Sequence, residues 1–136
     1  VLGILGGGGA ARSVAAAWTS AGGRIQLLEG NRPLMDGPWG EGVTTDNAHI
    51  SVCFDRKIDP PTGPRIDAWY EPMDGDVETR LKAVTDAPYN GRWMLVAQHL
   101  ACWRRLWAPE LAQHLPPLEL LMHQLLVAEH TLAGYA

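Results

Sequence analysis

The residues best suited to chemistry near the start of the chain are Gly6, Gly7, Gly8, Gly9, Ala10 and Ala11, and they would act through the backbone. The spacing Gly6-x-Gly8-x-x-Ala11 follows the dinucleotide-binding pattern. In that pattern the first glycine permits a tight turn, the second lets the main chain approach a pyrophosphate, and a small third residue lets helix and strand pack closely. A helix starting at the turn aims unpaired amides and the positive end of its dipole at the anion. Four consecutive glycines would also suit a flexible turn, so the flanking elements decide between the two readings.

Those elements are in the order that phosphate binding needs. Residues 1–5 form an apolar run that predicts a buried strand, and the alanine-rich stretch 10–21 predicts a helix stopped by Gly22 and Gly23. Residues 24–29 predict a second strand ending in the carboxylate of Glu29. In Rossmann units an acidic residue about 20 positions after the glycines holds the adenosine ribose hydroxyls, and Glu29 takes that place.

Beyond Glu29 the pattern thins. Residues 31–47 carry Pro33, Pro38 and Trp39 with little periodicity, where a first Rossmann half has its second helix and third strand. Residues 49–54 alternate and predict a strand, 59–64 break the chain, and 65–70 predict another strand. A helix follows from Asp76, a good N-cap, to Asp86. Over 93–107 the helical period aligns Leu95, Val96, His99, Leu100, Trp103 and Leu106, leaving Met94, Gln98 and Arg105 on another face. Pro109 interrupts it. A last helix after Pro116 and Pro117 aligns Leu118, Leu121, Met122, Leu125 and Leu132. The expectation is an α/β fold, a Rossmann-like parallel sheet with flanking helices and two C-terminal helices. It would form one domain over 1–136, shortened around 31–64, with its C-terminal helices within 92–133.

Composition narrows the function classes. The 136 residues carry a net charge of −4 and 46% hydrophobic residues, which suits one globular domain and argues against nucleic acid or an anionic membrane as partner. No apolar stretch is long enough to span a bilayer, and a basic signal region is missing at the N-terminus, so a cytoplasmic protein is expected. Cys53 and Cys102 sit in unlike contexts and are expected to be free thiols. Val1 already lies inside the first strand, so the chain is expected to be a piece of a larger protein, a processed chain or an engineered fragment.

Three segments together resemble the shikimate dehydrogenase family. The turn from Gly6 to Arg12 is similar to that family's Gly-Ala-Gly-Gly-Ala-Ala/Ser-Arg. Asp67, Tyr70 and Pro72 resemble its Asp-x-x-Tyr-Asn-Pro strand end. Gly91, Met94, Leu95, Val96 and Gln98 resemble its Gly-x-x-Met-Leu-Val-x-Gln, and Leu106-Trp107 falls where a Leu-Trp pair often ends that helix. The resemblance implies an NAD(P)-dependent oxidoreductase acting on a small cyclic hydroxy or keto acid. By it, Gly6, Gly8, Gly9, Ala10 and Ala11 would cradle the pyrophosphate, and Gly91 and Met94 would flank the nicotinamide. Tyr70 would lie near the reacting centre and Gln98 would reach the substrate. Read without the family, Tyr70 is a half-buried strand aromatic, Met94 core filler and Gln98 a solvated helix residue.

The departures are informative. The family's proton-transfer lysine and aspartate belong to an N-terminal substrate domain, so the expectation is a separate substrate domain or partner chain, with no catalytic residue here. Lys57 and Lys82 lie outside the family's lysine motif, and Thr45-Asp46 is given no role. NADP-dependent members follow the second strand with Asn-Arg-Thr, whereas Asn31-Arg32-Pro33 comes two residues late and Glu29 stands at the strand end. A carboxylate there accepts bonds from a free 2′-hydroxyl and repels a phosphate, which favours NAD slightly over NADP unless the loop brings Arg32 back and turns Glu29 away.

Other constellations are weaker. His49, His99, His114, His123 and His130 suggest metal ligands, but Glu119 and His123 lack a third partner at supporting spacing, so no metal is expected. Arg104 and Arg105 beside Trp103 and Trp107 read as a solvated helix edge. The rival to the enzyme reading is a non-catalytic Rossmann-like module, a scaffold, regulatory or interaction domain that could also form an oligomer, favoured by six tryptophans in a small chain. A methyltransferase shares the glycine turn and the acid, but the C-terminal motifs lend it nothing.

Overall fold

The computed structural model describes residues 1–56, 63–87 and 89–134, which fall into two compact units, Val1–Ala68 and Trp69–Ala136. Lys57 and most of the expected chain break at 59–64 lie outside the described residues.

The first unit is an α/β layer. Strand β1 (Leu2–Leu5) leads through the glycines into helix α1 (Gly9–Ser20), and β2 (Ile25–Leu28), β3 (Ile50–Cys53) and β4 (Arg65–Asp67) follow. All four strands are parallel in the order β2-β1-β3-β4, a Rossmann-like sheet. Leu2 pairs with Ile25 and with Ile50, Leu5 with Leu28 and with Cys53, so three strands end level. Being central, β1 is buried along its whole length, which is why it reads as an unbroken apolar run. Ala11 and Ala15 on α1 are fully buried, and α1 packs on β1 and β2.

The thin stretch 31–47 keeps a trace of the missing strand. A 3-10 turn at Gly40–Gly42 is followed by a single parallel bridge from Val43 to Ile25, on the outer edge of β2. The Thr44 amide also donates to the Ile25 carbonyl at 2.9 Å. With Val43 counted, the strand order matches the 3-2-1-4-5 arrangement of doubly wound sheets, its third strand reduced to one rung. The expected strand at 65–70 is shorter than its sequence suggests. It ends at Asp67 because the last ladder bond is Ala68 N–H to the Cys53 carbonyl (2.8 Å), where β3 itself ends.

The second unit is helical: α2 (Val77–Asp86), α3 (Gly91–Cys102) and α4 (Leu118–Ala133). Asp76 caps α2 by accepting from the Thr79 amide at 2.9 Å, and Asn90 caps α3 through the Arg92 amide at 2.8 Å. Val84, Val96, Met122 and Leu126 form the core, with Trp93, Leu118, Leu121 and Leu125 packed around it. The aligned stripe over 93–107 does not hold to its end. From Trp103 to Trp107 the backbone winds as a π-helix, closed by the Ala108 amide on the Trp103 carbonyl at 3.0 Å, and Leu106 is 72% exposed. The wider turn takes those residues off the α-helical register on which the stripe was drawn. Among the described residues no helix is long and apolar enough to cross a membrane.

Candidate functional site

The carboxyl ends of β1, β2 and β3 open onto one cavity of about 650 Å³. Its walls are the glycine turn (Gly6, Gly7, Gly8, Gly9, Ala10, Ala11), the segment after β2 (Asn31, Arg32) and the segment after β3 (Phe54, Asp55, Arg56). Because β2 and β3 lie on opposite sides of β1, chain connections diverge above β1 and leave a crevice, which is where open parallel sheets bind ligands.

Each turn residue has a separate physical task. Gly6 has φ +107°, a conformation that side chains oppose, and turns the chain away from β1. Gly7 is pinned from outside, since a Cβ there would lie 2.0 Å from the Pro33 carbonyl oxygen. Gly8 and Gly9 differ, because a Cβ on either would meet nothing within 4 Å. Helical bonding in α1 starts with the Arg12 amide on the Gly8 carbonyl at 3.1 Å, so the amides of Gly9, Ala10 and Ala11 precede the first bond of the helix. Gly8 is the N-cap, offers no side-chain cap, and the first turn holds no acidic residue, so the positive dipole end is unopposed from within α1. Ala11 is fully buried where the helix crosses the strand.

Asp55 ties the cavity wall together. Its carboxylate accepts from the Asn31 amide at 2.7 Å and from Asn31 Nδ2 at 3.1 Å, fixing the loop after β2 to the end of β3. That bond draws Asn31 and Arg32 to the cavity. Glu29, one residue past β2, is exposed and outside the lining residues. Cys53 is buried at the end of β3, and both cysteines are free thiols. Burial pushes the Cys53 thiol pKa up, with Asp67 reinforcing the shift and Arg65 opposing it. Asp46, of the Thr45-Asp46 pair, binds Arg24 at 2.7 Å on the surface.

Across three comparisons, no family model, curated protein or solved structure matches this chain. The geometry therefore carries the functional argument.

The remaining expected residues lie in the second unit. Tyr70 is 40% exposed, and the Arg92 guanidinium lies 4.5 Å above its ring centre. Gly91 is buried at the first position of α3, Met94 is half-buried and Gln98 is exposed further along the same helix. Arg92, which sequence reasoning passed over, is only 2% exposed. Its Nε donates to both Glu129 oxygens at 3.2 and 3.1 Å, and its Nη2 donates to Glu129 at 3.0 Å and to the Glu71 carbonyl at 2.8 Å. Sequence reasoning also gave Gly7 no task of its own and missed Asp55 and Arg56. A rule was to hand for the last two, because they directly follow a parallel strand, where ligand contacts concentrate.

Proposed function

We propose that the first unit binds NAD(P), and that the chain is the nucleotide-binding part of a shikimate-dehydrogenase-like oxidoreductase acting on a small cyclic hydroxy or keto acid. The observation that carries the reading is the turn at the end of β1. There Gly8 and Gly9 leave open space in front of the uncapped amides of α1, inside a cavity walled by three strand ends. Such a cradle fits a pyrophosphate, whose charge meets backbone donors and a helix dipole with no side chain between. Arg32 lines the cavity and Glu29 does not, an arrangement that supports NADP over NAD.

When bound, the nucleotide would supply hydride, and the glycine turn with the first amides of α1 would orient it. Reducing a carbonyl also needs an acid near the developing alkoxide. Among the described residues the one lysine, Lys82, is exposed and paired with Asp86 on α2. In the resembled family the proton-transfer lysine lies in a separate substrate domain, and this proposal places the proton donor in such a domain or a partner chain.

A second reading has its own observation. Trp103 and Trp107 stack edge to face at 5.5 Å and are 44% and 57% exposed, beside Leu106, as expected of an interaction module. Calorimetry with NAD, NADP and S-adenosylmethionine separates the readings, with Gly8→Asp as control. The enzyme reading expects NADP to bind, NAD more weakly, S-adenosylmethionine not at all, and Gly8→Asp to abolish binding. Absence of nucleotide binding at millimolar concentration would leave the interaction module.

A further inference from the structure

The second unit contains a buried positive charge that the nucleotide reading does not use. Arg80, in the first half of α2, is 6% exposed. Its Nε donates to the Gly75 carbonyl at 2.9 Å, and among the described residues its Nη groups have no protein acceptor and no carboxylate within ion-pair distance. No fully enclosed polar side-chain atom among the described residues lacks a partner, so those Nη groups border open space. The space is a cavity of about 360 Å³ in the second unit, walled by Tyr70, Met73, Arg80, Arg92, Glu129 and Leu132 among others.

Charge and shape then define what belongs there. The Glu129 carboxylate is taken by Arg92, which leaves the wall one unmatched positive charge. A buried cation without a counterion is costly, and an anion that accepts from a guanidinium fork removes that cost. A carboxylate matches the fork in charge and planar geometry. A phosphate dianion exceeds the single unmatched charge and brings polar oxygens against Met73, Leu132 and the Tyr70 ring. The volume lies at the small end of ligand cavities, roughly 300 to 1,000 Å³.

We infer that this cavity binds a small organic carboxylate with an apolar body, its carboxylate held by Arg80 and its body resting against Tyr70, Met73 and Leu132. The inference stands on the second unit alone and survives failure of the nucleotide reading. It is tested on the full chain by ¹H–¹⁵N NMR, titrating benzoate, its neutral isostere benzamide, and inorganic phosphate, with NADP titrated separately.

Benzoate is expected to saturate, shifting the Arg80 Nε resonance and amides near 70–73 and 129–133, with benzamide and phosphate at least tenfold weaker. Arg80→Gln should weaken benzoate at least tenfold and leave the NADP titration unchanged. Leu132→Asp, at a 68% exposed position on the wall, should weaken benzoate comparably by like charge without loading the core. Equal binding of benzoate and benzamide, tighter binding of phosphate, shifts centred elsewhere, or benzoate affinity unchanged in a folded Arg80→Gln or in Leu132→Asp would each overturn the assignment.

Discussion

Gly7 and Gly8 are adjacent and chemically identical, yet the structure assigns them opposite sensitivities. A Cβ at Gly7 would lie 2.0 Å from the Pro33 oxygen, 2.5 Å from the Pro33 carbonyl carbon and 2.9 Å from the Arg32 oxygen. All three are main-chain atoms, so Gly7→Ala cannot be absorbed by a side-chain rotation and must displace the 32–33 segment. That movement loads the two Asn31–Asp55 bonds, at 2.7 and 3.1 Å. Overpacking of this kind costs about 1–3 kcal/mol and each strained bond adds up to about 1 kcal/mol, so about 3 kcal/mol is expected. In a domain of this size the loss lowers Tm by about 10 °C. Gly8 has ordinary extended backbone (φ −71°, ψ −179°) and open space, so Gly8→Ala should cost less than about 1 kcal/mol. Its methyl nevertheless enters the volume where a pyrophosphate would sit, and NADP affinity should fall at least tenfold, about 1.4 kcal/mol. Thermal denaturation and calorimetry on the two variants read the contrast. A Gly7→Ala protein as stable as the parent would refute the packing of the loop on the turn, and undiminished NADP binding by Gly8→Ala would refute the cradle.

Removing one side of the Arg92–Glu129 pair leaves a partly buried charge unmatched, so Arg92→Met should destabilise by about 3 kcal/mol in denaturant titrations, whereas Arg92→Met with Glu129→Leu should recover most of the loss. If the double variant is no more stable than the single, the cost lies in packing rather than in the orphaned carboxylate. The Asp76 carboxyl has its pKa lowered by the Thr79 amide it accepts from, then by the Thr79 hydroxyl. A depressed folded-state pKa means its contribution is present above the unfolded value and is lost as pH falls through the folded one, so the effect belongs below about pH 4. Asp76→Asn keeps the cap without the charge and should show a flatter Tm profile between about pH 2 and 5. Identical acid limbs in the two profiles would remove Asp76 from the pH response.

The first unit was legible because local and global signals agree there. An apolar run, a glycine turn, an alanine helix and a second apolar run specify β1, α1 and β2 within a residue or two, since a parallel βαβ unit leaves each element little choice. Residues 31–47 carried no periodicity because one bridge at Val43 has no pattern to show. The π-turn at Trp103–Trp107 was hidden for a related reason. A period of 3.6 was extended through five residues that the backbone winds more widely, turning an expected apolar stripe into an exposed aromatic cluster.

Site residues were legible where their identity alone restricts them. Gly6 and Ala11 are dictated by backbone sign and by close packing, and both tasks can be read from residue type and spacing. Asp55, Arg80 and Arg92 depend on what folding brings beside them, which spacing does not encode. Asp55 reaches Asn31 across 24 positions, and Arg92 reaches Glu129 across 37. The sequence presents both arginines as ordinary helix-surface residues, and only tertiary packing separates them. Arg92 is buried with its counterion and can be explained by stability alone. Arg80 is buried to nearly the same degree with none among the described residues, and the difference is what turns one of two similar helix arginines into a candidate ligand contact.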